Sequence, residues 1–314
     1  MEKVKVVIRC IAYNHEQYIA QALDGFVMQQ TNFKFVVVVH DDASTDRTPE
    51  ILKEYAVRFP NIIKPILESE NLYSKHDGSL RKIMHEACLQ YGPVYIALCE
   101  GDDYWTDPYK LQKQVDFLDN HLNCHFVFTE AMVLKNNYIE QRVYSKNKYN
   151  TEDILGGVVP GLQTVMFRYE KFDIKLLEKY GKYVNGDILY AYLFSLQGDL
   201  ECIHEKTAVY RFSGKGVHSS LNAKEKFMVA VSQYYRFHEC IGFPNNRILY
   251  KLQTRFLFDY CWTDMIVLKL RKYFWGIRYI NSLCKYDVTL IILMYSFYQF
   301  YNRLLQILRY KIGR

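Results

Sequence analysis

The chain has 314 residues, half of them hydrophobic, with 40 Lys and Arg, 34 Asp and Glu and a formal charge of +6. This composition excludes a disordered chain, and the length predicts one large domain or one domain with a smaller appended one. Residues 271–314 hold eight Lys or Arg against one acid, Asp287, so the positive charge gathers at one apolar end, which points to an anionic membrane surface and away from nucleic acid as a partner.

In chain order, short apolar runs alternate with stretches of helical period up to about residue 134. Strands are expected at Val4–Ile11, Phe33–His40, Ile62–Leu67, Val94–Cys99 and His125–Leu134, with helices between them at Glu16–Gln29, Pro49–Arg58, Gly78–Gln90 and Pro108–Asn120. Such alternation predicts an α/β fold with a largely parallel sheet and helices on both faces. Residues 135–160 are polar and then glycine-bearing, and a loop beside the cleft is expected there. Strands near Leu162–Arg168 and Thr207–Arg211 then flank helices near Tyr169–Tyr180 and Gly186–Leu196, and from about residue 221 the pattern is helical to the end. The most apolar stretch, Val288–Tyr298, is shorter than the roughly 20 residues of a membrane span, which favours a buried or interfacial helix. The eight cysteines show no paired spacing and several lie in apolar runs, so they are expected as reduced core residues with no zinc site. Met1–Lys5 leads straight into a strand, with neither the long apolar segment nor the cleavage site of a leader, so the expected location is the cytoplasm, peripheral on the inner face of the cell membrane.

Asp102 and Asp103 follow the apolar run Val94–Cys99 and precede Tyr104-Trp105-Thr106-Asp107-Pro108. A strand buried on both faces opens at its carboxyl end into the crevice where α/β sheets bind ligands. Two carboxylates there repel each other and resist desolvation unless a cation or donors compensate them, and Mg²⁺ or Mn²⁺ meets that need. The same pair also fits a plain turn, with Thr106 or Asp107 capping a helix that starts at Pro108. The first expected strand ends in Ala12-Tyr13-Asn14 and the second in His40-Asp41-Asp42, which a parallel sheet brings to the same edge. There Asp42 could accept a hydrogen bond from the N3–H of a uracil ring, Tyr13 could stack on it and the Ala12 backbone could bond its edge. Turn chemistry explains Asp42, Ser44 and Thr48 equally well, with Thr48 as an N-cap.

Together, Val6-Val7-Ile8 with Ala12-Tyr13-Asn14, then Val39–Asp46, then Leu98–Trp105 resemble the N-terminal half of a family 2 glycosyltransferase with the GT-A fold. The resemblance covers roughly residues 1–220, leaving 221–314 as a helical C-terminal region. It implies inverting transfer of one sugar from a nucleotide-diphosphate donor, a UDP-sugar, to a glycan or lipid-linked saccharide in surface-polysaccharide synthesis. Tyr13 and Asp42 would then lie at the base, with Ala12 and Asn14 beside them, Asp102 near the ribose and Asp103 on the metal. Asp187, after a glycine and opening a helical run, matches the family's Gly-Asp or Glu-Asp motif and is the candidate base; the helix N-terminus favours its charged form. Arg211 or Lys215 could pair with the diphosphate, His218 could serve as a further metal ligand, and Arg81 could reach the nucleotide. Ser213 stands where a histidine is frequent in the family.

Processive synthases resemble this chain at the donor site but carry a Gln-x-x-Arg-Trp motif and several membrane spans, neither of which occurs in the sequence. A nucleotidyltransferase would show a glycine-rich basic loop where Ala12-Tyr13-Asn14-His15-Glu16 stands. A binding module without turnover would have no reason to keep Asp102, Asp103 and Asp187 together. Exposed Tyr and Phe on the C-terminal helices could meet lipid, a second copy of the chain or the chain's own core.

Overall fold

A computed structural model describes residues 3–135, 138–181, 186–212, 221–242, 246–266, 271–284, 288–289, 291–296 and 299–300. The chain divides into two compact units. The first, Met1–Ile154 with Val159–Lys179 and Gly186–Ser213, contains all ten described strands and seven α-helices. In order these are β1 (Val4–Ala12), α1 (Ile19–Val27), β2 (Lys34–Asp41), α2 (Thr48–Arg58), β3 (Ile63–Leu67), α3 (Ser79–Leu89), β4 (Tyr95–Leu98), β5 (Tyr104–Trp105), α4 (Lys110–Asn120), β6 (Phe126–Lys135), β7 (Tyr138–Arg142), β8 (Lys148–Tyr149), α5 (Thr151–Leu155), β9 (Met166–Arg168), α6 (Ile174–Tyr180), α7 (Gly186–Ser195) and β10 (Leu200–Phe212). The sheet runs β3, β2, β1, β4, β9, β6, β10, β5, with β7 on β6 and β8 on β10. Strands β3, β2, β1 and β4 are parallel, β9 runs against both β4 and β6, and β10 is parallel to β6.

Val6, Val7 and Ile8 are buried in succession, so β1 is covered on both faces, as its place in the middle of the parallel half requires. Val6, Ile8, Cys10 and Ala12 enter one core with Ile19, Leu23 and Phe26 of α1 and Leu111, Val115 and Leu118 of α4. Burying side chains of this size contributes on the order of 2 kcal/mol each. Because β1 pairs with β2 through Ala12 and Asp41, and Gly101 N–H donates to the Ile11 carbonyl at 2.9 Å, the segments after β1, β2 and β4 leave the sheet at one edge.

Three expectations change. The first helix begins at Ile19 and not at Glu16, because the intervening residues are held in a loop: the His15 and Glu16 amides donate to Thr48 Oγ1 (2.8 Å) and Asp46 Oδ2 (3.0 Å). Thr48 is not an N-cap; it is the first residue of α2, and Asp46 Oδ1 accepts its amide at 2.9 Å. Residues 138–160 hold β7, β8 and α5; β7 is exposed along most of its length and β8 has only two residues, so neither shows an apolar alternation. The second unit, Leu155–Val158, Tyr180–Asn185 and Gly214–Arg314, contains α8 (Ala223–Ile241), α9 (Asn246–Ile266) and α10 (Arg271–Leu283). Asn222 and Glu225 form a reciprocal capping box at the start of α8. Phe227, Val231, Leu257, Cys261, Tyr273 and Ile277 build the core of this unit. No helix among the described residues is long and apolar enough to cross a membrane.

Candidate active site

The turn Glu100-Gly101-Asp102-Asp103 is pressed against the end of β1. A side chain at Gly101 would meet His15 Nδ1 and the Ile19 Cδ1 at 2.9 Å and the Ala12 Cβ at 3.1 Å, so only glycine lets the acidic turn approach this closely. Asp103 is buried at 4% exposure, and its Oδ1 accepts the Arg211 amide of β10 at 2.8 Å. Burial, then the charge of Asp102, holds the Asp103 carboxyl well above the usual carboxylate range, against the pull of the Arg211 backbone donor. Burial also raises the Glu100 carboxyl to about 7, with Arg9 lowering and Asp102 raising it. A buried carboxyl at Asp103 with partly buried Asp102 and Glu100 beside it is the kind of crowding that a divalent cation relieves. Among the described residues no group of three or more His, Cys, Asp or Glu is arranged to hold a metal ion. Asp102 and Asp103 still fit Mg²⁺ or Mn²⁺, cations that take few carboxylates and fill the rest of their shell with phosphate oxygens and water.

Asp187 is the second residue of α7, and its Oδ1 accepts the Ile188 amide at 2.8 Å. The phenol of Tyr210 on β10 ties this acid to the others: burial raises its pKa, and so do the charges of Asp103, Asp102 and Asp187. The charges of Asp102, Asp103 and Asp187 thus all act on one phenol, although 84 residues separate Asp103 from Asp187 in the sequence.

Each remaining candidate has a definite setting. Tyr13 is 45% exposed at the end of β1. The Ala12 carbonyl accepts the Asp42 amide at 3.0 Å. Asn14 has φ 53°, its amide donates to Ser44 Oγ at 2.8 Å, and its Oδ1 accepts the Thr45 amide at 2.8 Å, so it laces the loops after β1 and β2 together. Asp42 is buried, and its two carboxylate oxygens accept the amides of Leu72 (2.7 Å) and Tyr73 (3.0 Å), which clamps the turn after β3. Neighbouring Asp41 accepts the Ser44 amide through Oδ2 at 3.1 Å, while its buried Oδ1 has no hydrogen-bond partner. Arg81, on α3, is half-buried and lines a small cavity with Arg9, His85 and Tyr190. Arg211 is committed to protein partners: its guanidinium donates to the Asp102 carbonyl and to Gln21, and lies 4.6 Å from the Tyr18 ring and 4.9 Å from the Tyr104 ring. Lys215 and His218 lie outside the described residues.

Sequence reasoning missed His15, Arg9, Glu100, Tyr190 and Tyr210. Burial lowers the His15 pKa against the charges of Asp102, Asp46 and Asp41, which places this imidazole between the two acidic motifs. Arg9, a charged residue within the buried part of β1 between Ile8 and Cys10, carried the one local signal available.

Residues 8–174 match Glycosyl transferase family 2. The uncharacterized protein Rv1520 of Mycobacterium tuberculosis is 47% identical over 124 residues, 40% of this chain and 34% of its own, so the chain spans about a third of the length of the first curated relatives it matches. S. aureus TarS 1-349 in complex with UDP-GlcNAc superposes with a TM-score of 0.57 at 17% identity, covering 90% of this chain and 82% of that one. The mannosyltransferase PcManGT from Pyrobaculum calidifontis, in complex with GDP-Man and Mn²⁺, gives 0.52 at 14%, covering 95% and 88%. At such identities the likeness speaks for the fold alone, and that fold is GT-A.

Proposed function

Because this chain belongs to glycosyl transferase family 2, we propose that it is an inverting transferase that moves one sugar from a UDP-sugar to a hydroxyl of a glycan or lipid-linked saccharide in surface-polysaccharide synthesis. What carries the reading is the family match over residues 8–174 together with the Asp102–Asp103 turn, which Gly101 packs against the end of β1 and where Asp103 accepts the Arg211 amide. Asp187, in the first turn of its helix, takes the proton of the attacking hydroxyl late in the transition state. Asp102 and Asp103 would hold Mn²⁺ or Mg²⁺, which when bound supplies positive charge to the departing diphosphate; the Mn²⁺ in the complex of PcManGT supports that assignment. Arg211 holds Asp103 in place through its amide and leaves its guanidinium charge behind the acidic turn.

At the base end, exposed Tyr13 offers a stacking face, with the Ala12 backbone and Asn14 beside it. A carboxylate has about four lone-pair sites, so the two amides on Asp42 leave capacity for a uracil N3–H. Arg81 would reach the nucleotide from α3, while Lys215 and His218, outside the described residues, would add a partner for the diphosphate and a metal ligand. Residues 1–220 form the catalytic domain. The basic segment 221–314 docks on the inner face of the cell membrane from the cytoplasm or meets a second copy; flotation with anionic liposomes tests docking, and failure to float removes it.

Thermal shift against a panel of nucleotide sugars, with and without Mn²⁺, tests the donor side. At a donor concentration 100-fold above its Kd, mass action adds about 2.7 kcal/mol of stability. The expected result is a melting-point rise for one UDP-sugar that depends on Mn²⁺ and is lost in Asp103→Asn. No shift with any nucleotide sugar would overturn the reading.

A further inference from the structure

We propose that Arg9 is a positioning residue that, through Tyr190, holds the helix carrying Asp187 in register with the Asp102–Asp103 turn. The inference rests on the proposed function and adds to it a residue that none of the sequence motifs contains.

Strand β1 supplies the geometry. Its alternate residues Val6, Ile8, Cys10 and Ala12 enter the main core, which turns Arg9 to the opposite face. On that face Arg9 Nη1 donates to Tyr190 Oη at 2.7 Å, a bond between residues 181 apart in the chain, and the guanidinium lies 5.9 Å from the Tyr190 ring. Tyr190 has little freedom of its own. Its ring stacks on Phe167 and on Phe172, each at 5.6 Å, with interplanar angles of 25° and 21°.

Both ends of this link lead to acids of the site. Tyr190 stands three residues after Asp187 on α7, so the two side chains share one helix face. On the other side, the Cys99 amide donates to the Arg9 carbonyl at 3.1 Å and the Gly101 amide to the Ile11 carbonyl at 2.9 Å, so β1 also carries the turn that holds Asp102 and Asp103. Arg9 thus joins, through its side chain, a residue one turn from the base and, through its backbone, the strand end that leads into the metal motif. An apolar side chain at position 9 would pack on the same aromatic rings, but it would leave the separation of these two elements to packing alone. Distance between the base and the donor's anomeric carbon is the quantity this link fixes, and an error of 1 Å in such a distance costs about 100-fold in rate.

Tyr190→Phe is the decisive variant, because it keeps the ring and both stacks and removes only the bonded oxygen. Arg9→Met removes the other partner, and Arg9→Lys restores a single donor. Steady-state transfer from the UDP-sugar should show kcat lowered about 10-fold to 100-fold in Tyr190→Phe, with the donor KM within about twofold and the melting point close to wild type. The double variant Tyr190→Phe/Arg9→Met should be no slower than the slower single variant, since both remove one link, and Arg9→Lys should recover part of the rate. Unchanged kcat in Tyr190→Phe, or a rate loss that appears only with a fallen melting point, overturns the proposal while wild-type turnover leaves the proposed function standing. Absence of turnover in the wild type removes both.

Discussion

Asn14 and Ala43 both hold a left-handed backbone, at φ 53° and 59°, and only one of them is chemically suited to it. Asparagine tolerates this region and its amide group bonds the loop opposite, whereas the Ala43 Cβ crowds the following carbonyl. Ala43 lies directly after Asp42, so the strain is stored beside the proposed base-binding carboxylate. Replacing Ala43 with glycine should stabilise the protein by about 1 kcal/mol, read as a higher midpoint of urea unfolding at unchanged slope; a lower midpoint would show that the left-handed conformation carries no cost here. At this scale legibility depended on sequence proximity. Asp102 and Asp103 were readable because they are adjacent, follow an apolar strand and precede a turn. Arg9 and Tyr190 were not, because a bond across 181 residues leaves no local pattern, and neither was the commitment of Arg211 to Gln21 and the Asp102 carbonyl.

Among the elements, β1, β2 and β4 were legible to within a residue or so because buried strands of a parallel sheet are written as nearly continuous apolar runs. The two-residue β5 was not, since Tyr104 and Trp105 read as a turn. It becomes a strand by pairing with β10 through Trp105 and Ala208, a partner about 100 residues away, and by close packing of α1. That packing makes a prediction. A Cβ on Gly25 of α1 would lie 2.9 Å from the Trp105 carbonyl oxygen and 3.0 Å from its nitrogen, backbone atoms that cannot turn aside. Gly25→Ala should therefore destabilise the protein by about 1–3 kcal/mol despite the better helix propensity of alanine, which alone favours it by about 1 kcal/mol. Because β5 directly follows the acidic turn, the same change should also weaken metal-dependent donor binding. Thermal denaturation in the absence of ligand measures the first effect, and a melting point equal to or above wild type would show that α1 and β5 do not approach this closely.

For the whole molecule, the alternation of strands and helices gave the α/β class, while three motifs in order gave the family. Convergence of the acids required the sheet itself. Strands β4, β9, β6 and β10 order themselves so that β10, the last strand among the described residues, returns Tyr210 and Arg211 to the turn that follows β4. The helix bearing Asp187 precedes β10, and the Tyr210 phenol feels its charge together with those of Asp102 and Asp103. The account as a whole depends on these acids serving one reaction in two roles, donor fixation and proton removal. Those roles separate in a single comparison: release of UDP from the cognate UDP-sugar in the presence of Mn²⁺ and acceptor, by wild type and by Asp187→Asn, with donor affinity measured in parallel. Loss of a general base predicts turnover reduced by about 10²–10⁴-fold at unaltered donor affinity, whereas an Asp187→Asn enzyme that turns over like wild type would contradict the assignment of the base and with it the mechanism.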